Sequence, residues 1–292
     1  MEIRVLKYFL MVAREENISK AAEILHITQP TLSRQLMQLE NELGTRLFIR
    51  GKGKVKLTDE GMLLRRRAEE IIDLAVKTEK EFSAHDNFIG GEISFGCGEI
   101  NAMRLLADFI NKFSKEYPQV KYNLYSGTAD DIKERIDKGL IDIGLLMEPV
   151  NIEKYDFIRL SQKEKWGVLM QKDSPLAYKE HINPEDLVGM PIIITKRSTV
   201  QNEIQNWFGV NFEKLDIIAT YNLILNAAIL VEKGLGYAIC LEKLVEFNDE
   251  TNICFRPLYP NLEMGSVIVW KKNQFFSVAT TRLIENIKNA YS

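Results

Sequence analysis

The sequence is poor in the residues that staple small or metal-bound folds. Three cysteines, Cys97, Cys240 and Cys254, occur in 292 residues, and none of their separations matches a zinc module or a disulfide framework. A reducing compartment suits such a chain. The three histidines, His26, His85 and His181, fall in separate elements, so no two sit at metal-ligand or acid–base spacing. Proline and glycine number only 8 and 17; with 46% hydrophobic and 27% charged residues, this excludes a fibrous or mainly disordered chain. Long apolar runs are missing too. Nowhere do about 18 apolar residues follow one another, which excludes a membrane helix. Lys7, Arg14, Glu15 and Glu16 interrupt the opening stretch where an export signal would need apolar and small residues. The expectation is a cytoplasmic protein of about two domains.

Nucleotide-cradling glycine fingerprints are absent. Gly96-Cys97-Gly98 and Gly234-Leu235-Gly236 each lack the further ordered glycines that a phosphate-binding loop needs, and read as turn or strand-end glycines. With no metal cluster and no nucleophile–base constellation, no enzyme, metal or cofactor is expected. No lysine or histidine flanks Cys97 to activate it, so the cysteines read as buried bystanders.

Net charge is only -3, but it is unevenly divided. Residues 1–67 hold 13 Lys/Arg against 8 Asp/Glu, a net of +5, whereas residues 91–292 hold 23 against 27, a net of -4. The basic excess gathers in Arg46, Arg50, Lys52, Lys54, Lys56 and Arg65 to Arg67, which suits a polyanionic partner.

Three helical patterns open the chain. Val5, Phe9, Val12 and Ala13 recur at helical spacing, and Ser19 offers an N-cap for a short helix carrying Ala22 and Leu25. After a tight connection at His26 and Ile27, Thr28 caps a third helix in which Leu32, Leu36, Leu39 and Leu43 form one narrow stripe, ended by Gly44. Pro30 is tolerated in its first turn. Pro30, Arg34, Met37 and Asn41 point the other way, with Ser33 on the flank. Two short helices, the second presenting a polar N-terminal edge of Gln29, Pro30, Thr31, Ser33 and Arg34, describe a helix-turn-helix suited to a major groove. Arg46 to Leu57 reads as a hairpin with a basic glycine tip, a wing. Pattern alone leaves a plain three-helix bundle with a solvated hairpin equally open.

The runs Ala21 to Leu25, Thr28 to Leu36, Leu39-Glu40, Leu43-Gly44, Leu47 to Arg50 and Leu57 to Gly61 resemble the N-terminal signature of LysR-type transcriptional regulators. The match is dense over about sixty residues, and length and element order extend it to the whole chain. The resemblance implies a winged helix-turn-helix that binds an inverted repeat in double-stranded DNA, a homodimer, often a dimer of dimers, and RNA polymerase as a further partner. The candidate DNA-contacting residues are Ser19, Thr28, Gln29, Pro30, Thr31, Ser33, Arg34 and Gln38, with Arg50, Lys52 and Lys54 on backbone or minor groove.

Thr58, Asp59 and Glu60 open a long helix, the acids favoured beside its positive end. Its residues Leu64, Ala68, Ile71, Ala75, Thr78 and Phe82 form a heptad seam that fits either packing on its own domain or pairing with a second copy. Pairing is the expectation, because a symmetric dimer doubles the DNA contacts. A loose stretch from Ala84 to Gly91 marks the boundary, giving a DNA-binding domain over 1–58, a linker over 59–90 and an effector domain over 91–292.

Beyond the boundary strands and helices alternate: strands Ile93–Gly98, Lys121–Ser126 and Ile141–Met147 with helices Asn101–Tyr117 and Thr128–Lys138. Strands Trp166–Met170, Ile192–Thr195, Asp216–Tyr221 and Tyr237–Cys240 follow, with helices near Val200–Phe208 and over Leu223–Lys233. Strands Ile253–Leu258 and Ser266–Lys271 and a helix Ser277–Ala290 close the chain. This predicts two α/β lobes, about 91–161 with 266–292, and about 162–265. The overall class is an α+β multidomain protein. Ligands settle outside strand carboxyl ends in such sheets, which singles out Gly98, Glu99, Ile100 and Asn101, then Gly127 and Thr128, then Lys196, Arg197 and Ser198, and Asn222. Several double as helix caps. The resemblance implies a periplasmic-binding-protein-like pair of lobes clasping a small effector, with its contact roles carried by Gly98 to Asn101 and by Gly127-Thr128. An anionic effector is favoured if Lys196 or Arg197 faces the cleft. The run Gly234 to Leu241 lacks the proline many relatives have after the glycine pair, so the second-lobe pocket transfers least. A solute-binding protein or small-molecule enzyme on the same lobes is the competing class.

Overall fold

The computed structural model describes residues 1–51, 54–83, 89–245 and 251–291. Lys52 at the wing tip, together with His85, Asp86 and Asn87, lies outside them, as do the side chains of Arg50 and Phe82. The chain divides into two compact units, Met1–Ser83 and Ala84–Ser292.

In the first unit, helices α1 (Ile3–Glu15), α2 (Ile18–Ile24) and α3 (Gln29–Leu43) precede a hairpin of β1 (Phe48–Arg50) and β2 (Val55–Leu57), and α4 (Asp59–Ser83) follows. The two strands pair antiparallel from Phe48↔Leu57 to Arg50↔Val55. Phe9, Val12, Ala22, Leu32, Leu36, Leu39, Leu47 and Phe48 are buried in one cluster, with the Phe9 and Phe48 rings 5.2 Å apart. Thr28 caps α3 by accepting from the Thr31 N–H at 3.4 Å, and Gly44 ends it at φ 68°. His26 adopts φ 54°, the left-handed turn that swings α3 across α2.

Three expectations need correction here. The cap of α2 is Asn17, whose Oδ1 accepts from Lys20 N at 3.0 Å; Ser19 already lies inside the helix and is exposed. Both types cap helices, and the extended backbone of Asn17 decides between them. Leu43 is 41% exposed, because α3 has outrun the core by its last residue. Finally, Leu64, Ala68 and Ile71, the first half of the expected seam, pack with Ile72 onto this unit's own core. Among the described side chains of α4, the exposed large apolar ones are instead Met62, Leu63, Leu74 and Val76.

The second unit holds β3 (Gly91–Cys97), α5 (Met103–Glu116), β4 (Val120–Ser126), α6 (Ala129–Asp137), β5 (Ile143–Met147) and β6 (Tyr155–Arg159). Then come β7 (Glu164–Gln171), β8 (Pro191–Thr195), α7 (Ser198–Phe208), β9 (Asp216–Tyr221), α8 (Ile224–Glu232) and β10 (Tyr237–Leu241). It closes with β11 (Ile253–Pro257), β12 (Glu263–Met264), β13 (Ser266–Lys271) and α9 (Val278–Ala290). One sheet runs β4-β3-β5-β13-β6, the other β11-β7-β10-β8-β9 with β12 against β7. Within the first, β3, β4 and β5 are parallel and β13 is antiparallel to both neighbours. The second likewise has parallel β8, β9 and β10, with β7 antiparallel to both its neighbours, β10 and β11.

The chain crosses between the sheets twice, before β7 and before β13, and a buried carboxylate marks the crossing. Glu164, fully buried, accepts from Asn101 N (3.1 Å), Asn101 Nδ2 (3.0 Å) and Ala102 N (2.8 Å), while Ser266 Oγ lies 3.5 Å away. It therefore ties the start of α5 in one lobe to the start of β7 in the other, where N–H donors stand in for the water that a buried charge loses. The glycine pairs have packing roles. A Cβ on Gly96 would sit 2.5 Å from Ile132 Cγ2 of α6, and one on Gly236 2.3 Å from the Pro191 carbonyl oxygen.

Candidate functional site

Two places concentrate recognition chemistry, one in each unit. In the first, α3 turns Leu32, Leu36 and Leu39 inward and leaves Thr28, Gln29, Pro30, Thr31, Arg34, Met37 and Gln38 exposed, with Ser33 half-buried. Thr28 and Thr31 hydroxyls lie 2.8 Å apart and Gln38 donates to Glu42 at 3.1 Å, so part of the edge is held by local bonds. Arg34 has no ion-pair partner among the described residues and projects as an uncompensated cation. The wing is fastened beside α3 by Glu40, whose Oε1 accepts from Leu47 N (2.8 Å) and Phe48 N (3.2 Å). Thr58 adds a bond to the Arg46 carbonyl at 2.8 Å, and Val55 N donates to Glu16 O at 2.8 Å. Arg46, Lys54 and Lys56 are exposed on or beside the hairpin. An exposed helix edge that is polar, next to a basic hairpin, suits a major groove with its flanking phosphates.

In the second unit a cavity of about 580 Å³, mouth included, opens between the lobes at the carboxyl ends of six strands. Gly98, Glu99 and Ile100 follow β3; Gly127, Thr128 and Ala129 follow β4; Leu146 and Met147 end β5. From the other lobe come Thr195 and Arg197 after β8, Tyr221 and Asn222 after β9, and Leu241 and Leu244 at and beyond the end of β10. Trp166, Val200, Leu223 and Ile224 complete a mainly apolar lining. Thr128 is engaged in a capping box with Asp131.

Three of the sequence-derived candidates stand elsewhere. Asn101 is buried on Glu164 and donates to the Glu242 carbonyl at 2.6 Å; Lys196 and Ser198 are exposed and do not line the cavity. Met147 and Leu241 escaped the reading although both sit at strand carboxyl ends, where the same rule finds them. Trp166, near the start of β7, carries no such signal.

Two side chains reach across the cleft. Glu99 Oε2 accepts from Ile224 N at 2.7 Å, at the start of α8. Arg197 donates to the Met147 carbonyl at 3.0 Å and the Pro149 carbonyl at 2.7 Å, with Nε 3.6 Å from Asp130 Oδ2. Burial lowers the Arg197 pKa and Asp130 opposes that shift. Burial also pushes the thiols of Cys97 and Cys240 up to about 12 and that of Cys254 upward. No group of three His, Cys, Asp or Glu side chains able to hold a metal occurs among the described residues. Nor is any helix there long and apolar enough to cross a membrane.

Residues 3–62 match the bacterial regulatory helix-turn-helix model of the lysR family, and residues 87–292 match the LysR substrate binding domain. The chain belongs to the LysR family of transcriptional regulators. Among its relatives, the Hca operon transcriptional activator HcaR of Escherichia coli (strain K12) is 29% identical over 281 residues, covering 94% of this chain and 93% of that protein. A probable RuBisCO transcriptional regulator of Synechocystis is 26% identical, over 100% and 86%. Among solved structures, CbnR, itself described as a LysR family regulator, superposes with TM-score 0.80 at 20% identity, over the full length of both chains. Full-length CbnR with its target DNA superposes with TM-score 0.78 at 21% identity, over 99% and 100%. This LysR-family chain therefore pairs an N-terminal helix-turn-helix with a two-lobed substrate-binding domain, and LysR regulators act as DNA-binding oligomers.

Proposed function

We propose that this regulator reads an inverted-repeat operator as a homodimer or dimer of dimers in the cytoplasm, and that a small effector in the cleft biases how its subunits engage DNA and RNA polymerase. The observation that carries this is the α3 edge, capped at Thr28, backed by three buried leucines and presenting Arg34 unpaired beside a basic wing. In this reading Gln29, Pro30, Ser33 and Arg34 meet base edges, and Ser19, Thr28, Thr31 and Gln38 support the groove contact. Arg50, Lys52 and Lys54 lie on backbone or minor groove. Phosphate contacts fix register and base contacts specify sequence.

In the second unit, Gly98, Glu99, Ile100, Gly127, Thr128, Arg197 and Asn222 line the cavity that would hold the effector. Both lobes contribute, so a ligand that favours one lobe arrangement shifts its population by its differential affinity alone. No resident cofactor or catalytic chemistry is assigned. Selecting bound fragments from the source genome and sequencing them tests the function. Enrichment of a recurrent inverted repeat is expected; uniform recovery of fragments contradicts it.

A further inference from the structure

Among the described residues, the buried side-chain polar atoms without a hydrogen-bond partner are Tyr122 Oη, Trp166 Nε1 and Arg197 Nε, and the last two belong to residues that line the interlobe cavity. Trp166 is 3% exposed and the Arg197 side chain 7%. Each is otherwise firmly held. The Trp166 backbone pairs with Leu241 of β10, and its N–H donates to the Leu262 carbonyl at 3.0 Å. Arg197 directs its two terminal nitrogens to the Met147 and Pro149 carbonyls, while Nε stops 3.6 Å from Asp130 Oδ2, beyond a hydrogen bond. The Glu99 carboxylate on the same lining is engaged by the Ile224 N–H at 2.7 Å. An indole N–H and a guanidinium N–H can only donate, so whatever completes them must bring a lone pair. Leaving a buried donor unmade is costly and rare in native proteins, and two on one lining mark where an acceptor belongs.

We propose that the effector of this chain is a small molecule with an apolar body and a carbonyl-type oxygen, of a ketone, an amide or a carboxylate, that accepts from Trp166 Nε1, with Arg197 Nε as a second donor. The inference rests on the cleft being the effector site. Trp166 follows Glu164 by two residues, where the chain crosses between the lobes, so an oxygen held there sits at the hinge. Both donors are covered while Glu99 and Arg197 join the lobes. The ligand meets them as the lobes part and reclose around it, a closure common in two-lobed binding domains. The mainly apolar lining takes the body, as small-molecule pockets generally do around a few fixed polar groups. A site built on donors rejects a ligand of the same shape that lacks the acceptor, because the donors are then left buried and unpaired.

Matched probes decide the matter on the full-length protein. Cyclohexyl methyl ketone, cyclohexanecarboxamide and cyclohexanecarboxylate carry the oxygen, isopropenylcyclohexane replaces it by a methylene, and cyclohexylmethylamine carries a cation instead. Each is titrated by thermal shift and calorimetry. An oxygen-bearing probe is expected to bind at least roughly tenfold more tightly than the methylene isostere and the amine, the scale of a buried hydrogen bond. Whether ketone, amide or carboxylate binds best identifies the charge of the group. With 15N-labelled tryptophan, the indole N–H signals of the three tryptophans are assigned by single Trp→Phe variants. On saturation the Trp166 signal is expected to move downfield, while that of Trp207, whose Nε1 already donates to the Pro260 carbonyl at 2.6 Å, stays in place. Trp166→Phe, which keeps an aromatic ring without the donor, is expected to lose the preference for ketone over isostere. The native-protein spectrum decides the point should that variant not fold. The blocking substitution Asn222→Trp at the exposed mouth should abolish binding of every probe. Isostere or amine binding as tight as that of the oxygen probes, or a Trp166 signal unmoved by a probe that Asn222→Trp excludes, overturns the acceptor assignment and leaves the cleft as effector site. Absence of any Asn222→Trp-sensitive binding overturns both readings.

Discussion

At the scale of single residues, the cap and stop of α3 were written plainly. Thr28 accepts from the Thr31 N–H and Gly44 takes the left-handed position, each for a reason local to two or three residues. Thr28→Ala is expected to cost about 1 kcal/mol of stability, the usual worth of such a cap, measured by urea unfolding of residues 1–83. Ser19 shows where local reasoning stops, since two good capping residues lie two positions apart and only the chain path leading into α2 selects Asn17. The cysteines follow burial. With thiol pKa values near 12 for Cys97 and Cys240 against an ordinary 9.0, the native state binds more protons than the unfolded one between those values. Their stabilising contribution is whole below about pH 9 and is lost as pH rises toward about 12. Iodoacetamide at pH 7.5 should accordingly label both thiols only after denaturation, as read by intact mass. Rapid labelling of either in the native protein would contradict their burial.

At the scale of elements, the wing depends on how closely α4 approaches it. A Cβ on Gly61 would lie 2.2 Å from the Leu47 carbonyl oxygen and 3.0 Å from Leu57 Cδ2. Backbone cannot yield as a flexible side chain can, so Gly61→Ala is expected to destabilise the first unit by about 1 to 3 kcal/mol, the usual range for overpacking. Calorimetry of residues 1–83 checks this; an unchanged melting temperature would show that α4 and the wing can separate freely.

The periodicity of α4 was legible but its partner was not. A stripe of apolar residues states that one side is covered, and Leu64, Ala68 and Ile71 prove to be covered by their own domain. Leu63 and Leu74, eleven residues apart and so nearly in line on a helix, are both exposed. They are our candidate for the dimer surface. Replacing both by glutamate should move the sedimentation profile toward monomer without lowering helicity. Two strands were missed, β6, an edge strand of five residues whose pairing with β13 spans more than a hundred positions, and β12, only two residues long beside β7, so nothing local announces either.

At the scale of the whole molecule, charge is divided between the units, with +5 over residues 1–67 and -4 over residues 91–292. Polyanion binding should follow that division. On heparin, a fragment of residues 1–90 is expected to be retained with a steep salt dependence and residues 91–292 to pass through. Equal retention of the two would place the nucleic-acid contact elsewhere. The alternation of strands and helices revealed the two lobes, and the strand-end rule found much of the cleft. What it could not supply were the bonds across it. That Arg197 is engaged by Met147 and Pro149, and that Glu99 lies on α8, are facts of tertiary placement between residues 48 to 125 positions apart. The sequence favoured an anionic effector if Lys196 or Arg197 faced the cleft; Arg197 does line it, with two nitrogens on carbonyls and its Nε buried without a hydrogen bond, while Lys196 does not.

The central claim is that the exposed edge of α3 reads DNA sequence, and it meets its most direct test in Arg34→Ala. Gel-shift competition between a selected operator and a scrambled duplex, at fixed salt, compares the specificity ratio of the variant with that of the native protein. The expected result is an intact dimer whose ratio falls by roughly tenfold or more, corresponding to about 1 to 3 kcal/mol for a base-reading arginine. A ratio equal to that of the native protein, with the dimer preserved, would contradict the claim.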